Sequence, residues 1–205
     1  MMLRRLRGLR RWAVSGLIAG LCTLATGAAT AAEPDPLAHR FGGPFTLTSH
    51  TGETVRDQDF RGRLMLVYFG YTHCPDLCPT GLSVLTDALE AVGAAGDAIQ
   101  PLFITVDPAR DTPPVLAKYQ KSFHPRLVML TGDEAQIAAI ARAYKVHRRK
   151  YLWPTTAGST GDKYGVDHGS LMYLMGRDGT FRTLIPHGTP VEKVAEILKR
   201  YVANE

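Results

Sequence analysis

Cysteine is scarce. The chain of 205 residues has three, and Cys22 falls in an N-terminal run without charge, so only Cys74 and Cys78 remain for everything after it. One close pair does not staple a scaffold, and a small disulfide-built fold is excluded. Acidic residues are missing from the first 32 positions, and charge of either sign is missing between Trp12 and Ala32. Internal repeats and long low-complexity tracts are missing too. What is left is long enough for one domain with a real core.

The N-terminus carries a basic head, Arg4, Arg5, Arg7, Arg10 and Arg11, followed by the uncharged run and the small residues Ala29-Thr30-Ala31. That is the layout of a secretory signal. The run is also close to the ~20 residues that cross a bilayer. Residues 1–32 are therefore expected to be a signal peptide or a membrane anchor. The protein is expected to be exported and periplasmic, soluble or tethered to the inner membrane. Leu21 ahead of Cys22 does not suit a lipoprotein cleavage site. The formal charge of +5 comes from this head: with its five arginines set aside, the 24 basic residues become 19 against 19 acidic ones. The basic balance belongs to the export segment, and no nucleic-acid partner is expected.

Residues 33–44 are polar and rich in Pro and Gly, a linker, and the domain proper is expected over 45–205. Phe45 to Thr48 alternates, turns at Gly52 and returns near Thr54–Val55, which predicts a hairpin. Leu64 to Phe69 is a short, wholly apolar run ending at Gly70, the pattern of a buried central strand. Leu82, Leu85, Leu89 and Val92 recur at helical spacing, with Pro79 placed for the first helical position and Gly93 for the exit. Strands are predicted at 102–106 and 127–130. Helices are predicted at 113–123 and after Asp133, the latter carrying Ile137, Ile140, Ala141 and Tyr144. Residues 171–175 and 180–185 should pair across Arg177-Asp178-Gly179-Thr180, and Thr189-Pro190 should open a last helix. Strand, cysteine pair, helix, strand, helix, hairpin, helix is the order of a thioredoxin-like α/β fold, a central mixed β-sheet flanked by helices. The stretch 145–166 exceeds the minimal version and is expected to be a polar surface insertion, compatible with a hairpin, just ahead of Asp167-His168.

Cys74 and Cys78 fall between the central strand and the first helix. Unpaired N–H groups and the helix dipole favour negative charge there, so both thiol pKa values are expected to be lowered. A helical turn puts residues four apart roughly 5–6 Å from each other at Cβ, and a disulfide wants roughly 3.5–4.5 Å. The spacing permits redox chemistry and leans to a metal. Two thiolates alone make a poor cage for zinc. They are good soft ligands for Cu(I), and one imidazole would complete a three-coordinate site that also accepts Cu(II). Of the seven histidines, His73 should point away from its neighbour Cys74, and His39, His50, His124, His147 and His187 sit in loop-like or peripheral surroundings. His168 enters a strand expected beside the central one, at the point that faces the cysteine loop in a thioredoxin-like fold. Redox members usually carry a proline there; this chain has Asp167, His168 and Gly169.

FGYTHCPDLCPT at 69–80, TVDPARDTP at 105–113 and VDHGSLMYLMGRDG at 166–179 together resemble the SCO/SenC family, and the resemblance runs from about Phe45 to Tyr201. These are copper-binding, thioredoxin-like proteins that help assemble the CuA centre of cytochrome c oxidase. The resemblance implies that Cys74, Cys78 and His168 bind copper, as Cu(I), Cu(II) or both. It implies as partners the CuA-bearing oxidase subunit and other periplasmic copper chaperones or thiol–disulfide oxidoreductases. Asp167 is weighed as an orienter of His168 against a solvated carboxylate. The Asp107–Asp111 loop is read as a hydrogen-bonded turn near the cysteines rather than a hard-metal site. Tyr71, Asp76 and Leu77 are expected at the rim, Met172 and Met175 in the core, and Trp153-Pro154 as a docking feature.

Three functions compete. A copper metallochaperone, not an enzyme, needs all three ligands and an open face for transfer. A thiol–disulfide reductase keeping the oxidase CuA cysteines reduced needs only Cys74 and Cys78, as its redox-active pair. A peroxiredoxin-type peroxidase wants a threonine three residues before its cysteine, and Thr72 stands two before Cys74.

Overall fold

The computed structural model describes residues 36–152 and 164–205, all within the compact unit Pro34–Glu205. Nine strands and four α-helices are found among the described residues. The strands are β1 (Thr46–Ser49), β2 (Thr54–Arg56), β3 (Leu64–Gly70), β4 (Ile99–Thr105), β5 (Val128–Thr131), β6 (Arg148–Leu152), β7 (Tyr164–His168), β8 (Met172–Met175) and β9 (Phe181–Ile185). The helices are α1 (Leu77–Val92), α2 (Pro113–Gln120), α3 (Glu134–Ala143) and α4 (Val191–Asn204). Seven strands make one mixed sheet in the order β2-β1-β5-β4-β3-β8-β9, and β6 and β7 pair apart from it. This is the thioredoxin-like arrangement, with the front hairpin added at one edge.

The apolar runs take the centre for a simple reason. β3 and β4 are parallel neighbours, Leu64 opposite Ile99 through Gly70 opposite Thr105, and every residue of both is buried. Both faces of β3 are covered. Tyr68 lies under the start of α1, its hydroxyl donating to the Leu77 carbonyl at 3.2 Å. Phe69, one residue on, meets the rings of Tyr144 and Tyr173 on the other side. A strand covered on both faces has no polar side, so its sequence does not alternate. α1 packs beside α4, and Leu82, Leu85, Leu89 and Val92 face inward as their spacing predicts.

The termini of the helices correct some expectations. α1 begins at Leu77, so Pro79 is its third residue; the N–H it lacks is still one that no helical carbonyl would accept. Gly93 leaves α1 with a positive φ of 69°, as an exit glycine does. α2 stops at Gln120, where the chain turns towards Pro125. Asp133 caps α3 by a reciprocal pair with Gln136. Pro190, not Thr189, flanks the start of α4.

The pairing of β3 with β8 positions everything that follows. The two are antiparallel, with Met65 opposite Met175 and Tyr68 opposite Met172. The residues before Met172 therefore run alongside those after Tyr68, which carries the stretch ending in His168 to the cysteine loop. The insertion is a hairpin: β6 and β7 are antiparallel, with Arg148 opposite His168 and Leu152 opposite Tyr164. Trp153, Pro154 and the rest of the insertion up to residue 163 lie outside the described residues, as do residues 1–35. No helix among the described residues is long and apolar enough to cross a membrane.

Candidate metal centre

Each of the three side chains arrives on a different piece of backbone. Cys74 sits in the loop after β3, two residues before Asp76, which flanks α1 without capping it through its side chain. Cys78 is the second residue of α1, and its N–H donates to Cys74 Sγ at 3.4 Å. The sulfur thus takes the place of the usual capping oxygen at this helix start, where amide donors have no helical partner. His168 closes β7. Its Nδ1 lies 2.9 Å from the Gly169 carbonyl, which can only accept, so Nδ1 carries the proton and Nε2 presents its lone pair in the neutral ring. That Nε2 lies 3.4 Å from Cys78 Sγ.

The two sulfurs and an imidazole nitrogen all lie within 4.8 Å of one another, and among the described residues this group fits the donor set of a metal ion. Both cysteines are free thiols. Cys78 is fully buried and Cys74 is half-exposed, so the group is backed by protein and faces solvent on one side. Gly70 allows this closeness: a Cβ there would stand 2.7 Å from Phe103 and 2.9 Å from Cys78 Sγ.

The thiols are not equivalent, contrary to the expectation that both are acidified. A hydrogen bond from the Cys78 thiol, helped by the Cys78 and Asp76 backbone, brings Cys74 down to about 4. Cys78 is pushed up, first because its proton is the one shared with the Cys74 thiolate and then because it is buried. One thiolate and one thiol share a proton, the usual outcome when two acids interact strongly. Burial and the neighbouring sulfurs push the Tyr68 and Tyr119 phenols up, so both stay neutral behind the site.

Among the other residues singled out by sequence, several behave as expected. His73 points outward, its ring 3.1 Å from the Thr72 hydroxyl. Met172 and Met175 are buried in the core. Asp76 and Leu77 are exposed beside the sulfurs, whereas Tyr71 is buried, its ring edge-on to His168 with centroids 5.7 Å apart. Asp167 does not orient His168. It faces His147 and Arg149 at 3.4 and 3.7 Å across the hairpin, because neighbours on a strand point to opposite sides.

The Asp107–Asp111 loop is a hydrogen-bonded turn that touches both halves of the site. The Asp111 carboxylate is buried and accepts from the Thr72 N–H at 3.1 Å, the Thr72 hydroxyl at 2.6 Å and the Thr105 hydroxyl at 2.6 Å. Burial pushes its carboxyl up, against these hydrogen bonds. Asp107 accepts from the Tyr164 hydroxyl at 2.8 Å and pairs with Arg110. Sequence reasoning passed over Arg148 and Tyr164. Arg148, opposite His168, pairs with Glu134 at the start of α3 and donates to the Val106 carbonyl. The one signal available for them was their place in an insertion that ends on the histidine.

Comparison with known proteins places these features. The family model described as SCO1/SenC matches residues 33–203. The human mitochondrial SCO1 homologue is 46% identical over 143 residues, which cover 68% of this chain and 46% of the human protein. The chain thus spans about half the length of that relative. The structure of Bradyrhizobium japonicum ScoI with copper bound superposes with a TM-score of 0.70 at 43% identity, covering 78% of this chain and 99% of that one. Yeast Sco1 with copper bound gives a TM-score of 0.71 at 32% identity, over 80% and 90% of the two chains.

Proposed function

The chain belongs to the SCO1/SenC family, and from that premise we propose that it is a copper metallochaperone. It takes up copper through Cys74, Cys78 and His168 and delivers it to, or helps assemble, the CuA centre of cytochrome c oxidase. The observation that carries this is the convergence of the two sulfurs with His168 Nε2 within 4.8 Å, at an end of the sheet that Cys74 leaves partly open. Soft sulfur suits Cu(I); the imidazole extends the set to Cu(II). Three ligands leave a face through which an incoming thiolate attaches before these let go, so copper passes by ligand exchange and is never free. The N-terminal segment, as signal or anchor, places the domain in the periplasm, where the oxidase subunit and its other copper donors are met.

A thiol–disulfide reductase is the second reading, supported by the unequal thiols. The Cys74 thiolate would attack a substrate disulfide to form a mixed disulfide, and the Cys78 sulfur would then displace the substrate thiol, leaving Cys74–Cys78 oxidised and the substrate carrying both electrons.

Anaerobic Cu(I) titration of the protein beside its His168→Ala and Cys74→Ser variants separates the two. One equivalent bound by the wild type, at least tenfold weaker binding in His168→Ala and retained disulfide reduction in that variant are expected. Unchanged copper affinity in His168→Ala would refute the three-ligand site.

A further inference from the structure

β6 and β7 form a two-stranded sheet that pairs with neither edge of the seven-stranded one. A lone hairpin is marginal in water, yet it ends on His168, whose position the site needs. Something outside its own ladder must hold it. Arg148 ties β6 to Glu134 and the Val106 carbonyl, and a second guanidinium reaches β7. Arg110 lies over the Tyr164 ring, Cζ 3.7 Å from the centroid, and its Nη1 donates to the Tyr164 carbonyl at 3.0 Å. Asp107 holds Arg110 by its Nε and also takes the Tyr164 hydroxyl, so ring and guanidinium share one carboxylate. Arg110 also approaches the Tyr71 ring at 5.7 Å, and Tyr71 is the ring set edge-on against His168. Tyr164, Arg110, Tyr71 and His168 thus form a series of cation–ring and edge-on ring contacts from the start of β7 to its end.

Among the described residues, none accepts a hydrogen bond from the buried Arg110 Nη2. The Nε and Nη1 of Arg110 are directed to Asp107 and the Tyr164 carbonyl while its Cζ sits over the ring. Lysine, a point charge without a plane, would not substitute.

We propose that Arg110 is a positioning residue for His168, and that through the imidazole it selects for Cu(II) over Cu(I). Losing the ring altogether weakens both ions, but Cu(I), held chiefly by the two sulfurs, tolerates a ring that is present and less firmly placed, whereas Cu(II) needs the nitrogen donor in place. The inference rests on the metallochaperone reading for its copper consequence, but the placement of the imidazole is independent of copper.

The test uses the full protein with Arg110→Lys, Arg110→Gln and Tyr164→Leu, the last removing the stacked ring while leaving the carbonyl. In copper-free protein, the ¹⁵N-imidazole spectrum of His168 should show one fixed tautomer in the wild type and averaged signals in all three variants. With copper added, Cu(II) affinity should fall at least tenfold and the thiolate-to-Cu(II) absorption should shift. Cu(I) affinity should stay within about threefold, and Arg110→Lys should not rescue. Equal losses for both oxidation states, rescue by lysine, or a wild-type imidazole spectrum in the variants would each overturn the inference. A wild type that binds neither ion would refute the metallochaperone reading instead, with the imidazole spectra still deciding the role of Arg110.

Discussion

At the scale of single residues, the chemistry turns on how unequal two nearby thiols become. With Cys74 brought down to about 4, its thiolate is fully formed through the neutral range, while Cys78 is buried and protonated. Alkylation by iodoacetamide should modify Cys74 at a rate that changes little between about pH 5 and 8, with Cys78 protected; peptide mass spectrometry reads both. A free thiol would slow about tenfold for each unit below its ordinary pKa, near 8.5. The sign for stability follows. Between about 4 and the ordinary thiol range the folded pair holds one proton fewer than the unfolded pair, so its contribution grows as pH rises across that window and is lost as pH falls through it. The thermal midpoints of wild type and Cys74→Ser should diverge in that direction. The pair itself was legible in the sequence, as was the helix start beneath it. The inequality was not, because it comes from the hydrogen bond between the two sulfurs and the burial of one of them, which only the folded chain sets.

At the scale of elements, the loop 107–111 does what a strand or helix cannot: it ties the cysteine loop and the histidine hairpin to one piece of backbone. Asp111 offers three acceptor contacts to Thr72 and Thr105 from a fully buried position. Asp111→Ala leaves those donors unpaired and should cost at least about 1–3 kcal/mol, measured by urea denaturation, with loosened copper binding as the cysteine loop gains freedom. The motif carried a correct reading as a hydrogen-bonded turn. Its partners were hidden, since Thr72 stands 39 positions from Asp111 and Tyr164 stands 57 positions from Asp107. Asp167 shows the converse. Adjacency suggested that it orients His168, but alternation along β7 turns it to the other face, and the Gly169 carbonyl fixes the ring.

At the scale of the whole molecule, the stretch ahead of the first strand packs on the far end of the sheet from the sulfurs. Phe41 sets its ring 4.7 Å from Phe181 and 5.9 Å from Tyr173, and Phe181 N–H donates to the Ala38 carbonyl at 2.9 Å. Phe41→Ala should destabilise the fold by about 1–3 kcal/mol, less than the loss of a fully buried phenylalanine. Copper affinity should hold, as seen by thermal melting with and without the metal. Composition could not announce this packing: Pro and Gly mark irregular backbone, and irregular backbone docks as readily as it swings free.

The sequence by itself determined the order of elements, the wholly apolar central strands, the cysteine pair at a helix start and the histidine ahead of the strand beside them. Each is written in local spacing, which backbone geometry translates directly. Only the tertiary structure decided which nitrogen faces the sulfurs, which thiol keeps the proton, and that Arg110 braces the hairpin carrying the imidazole. Those depend on distances of a few ångströms between residues far apart in the chain, set by the packing of β3 against β8 and by nothing either segment spells alone.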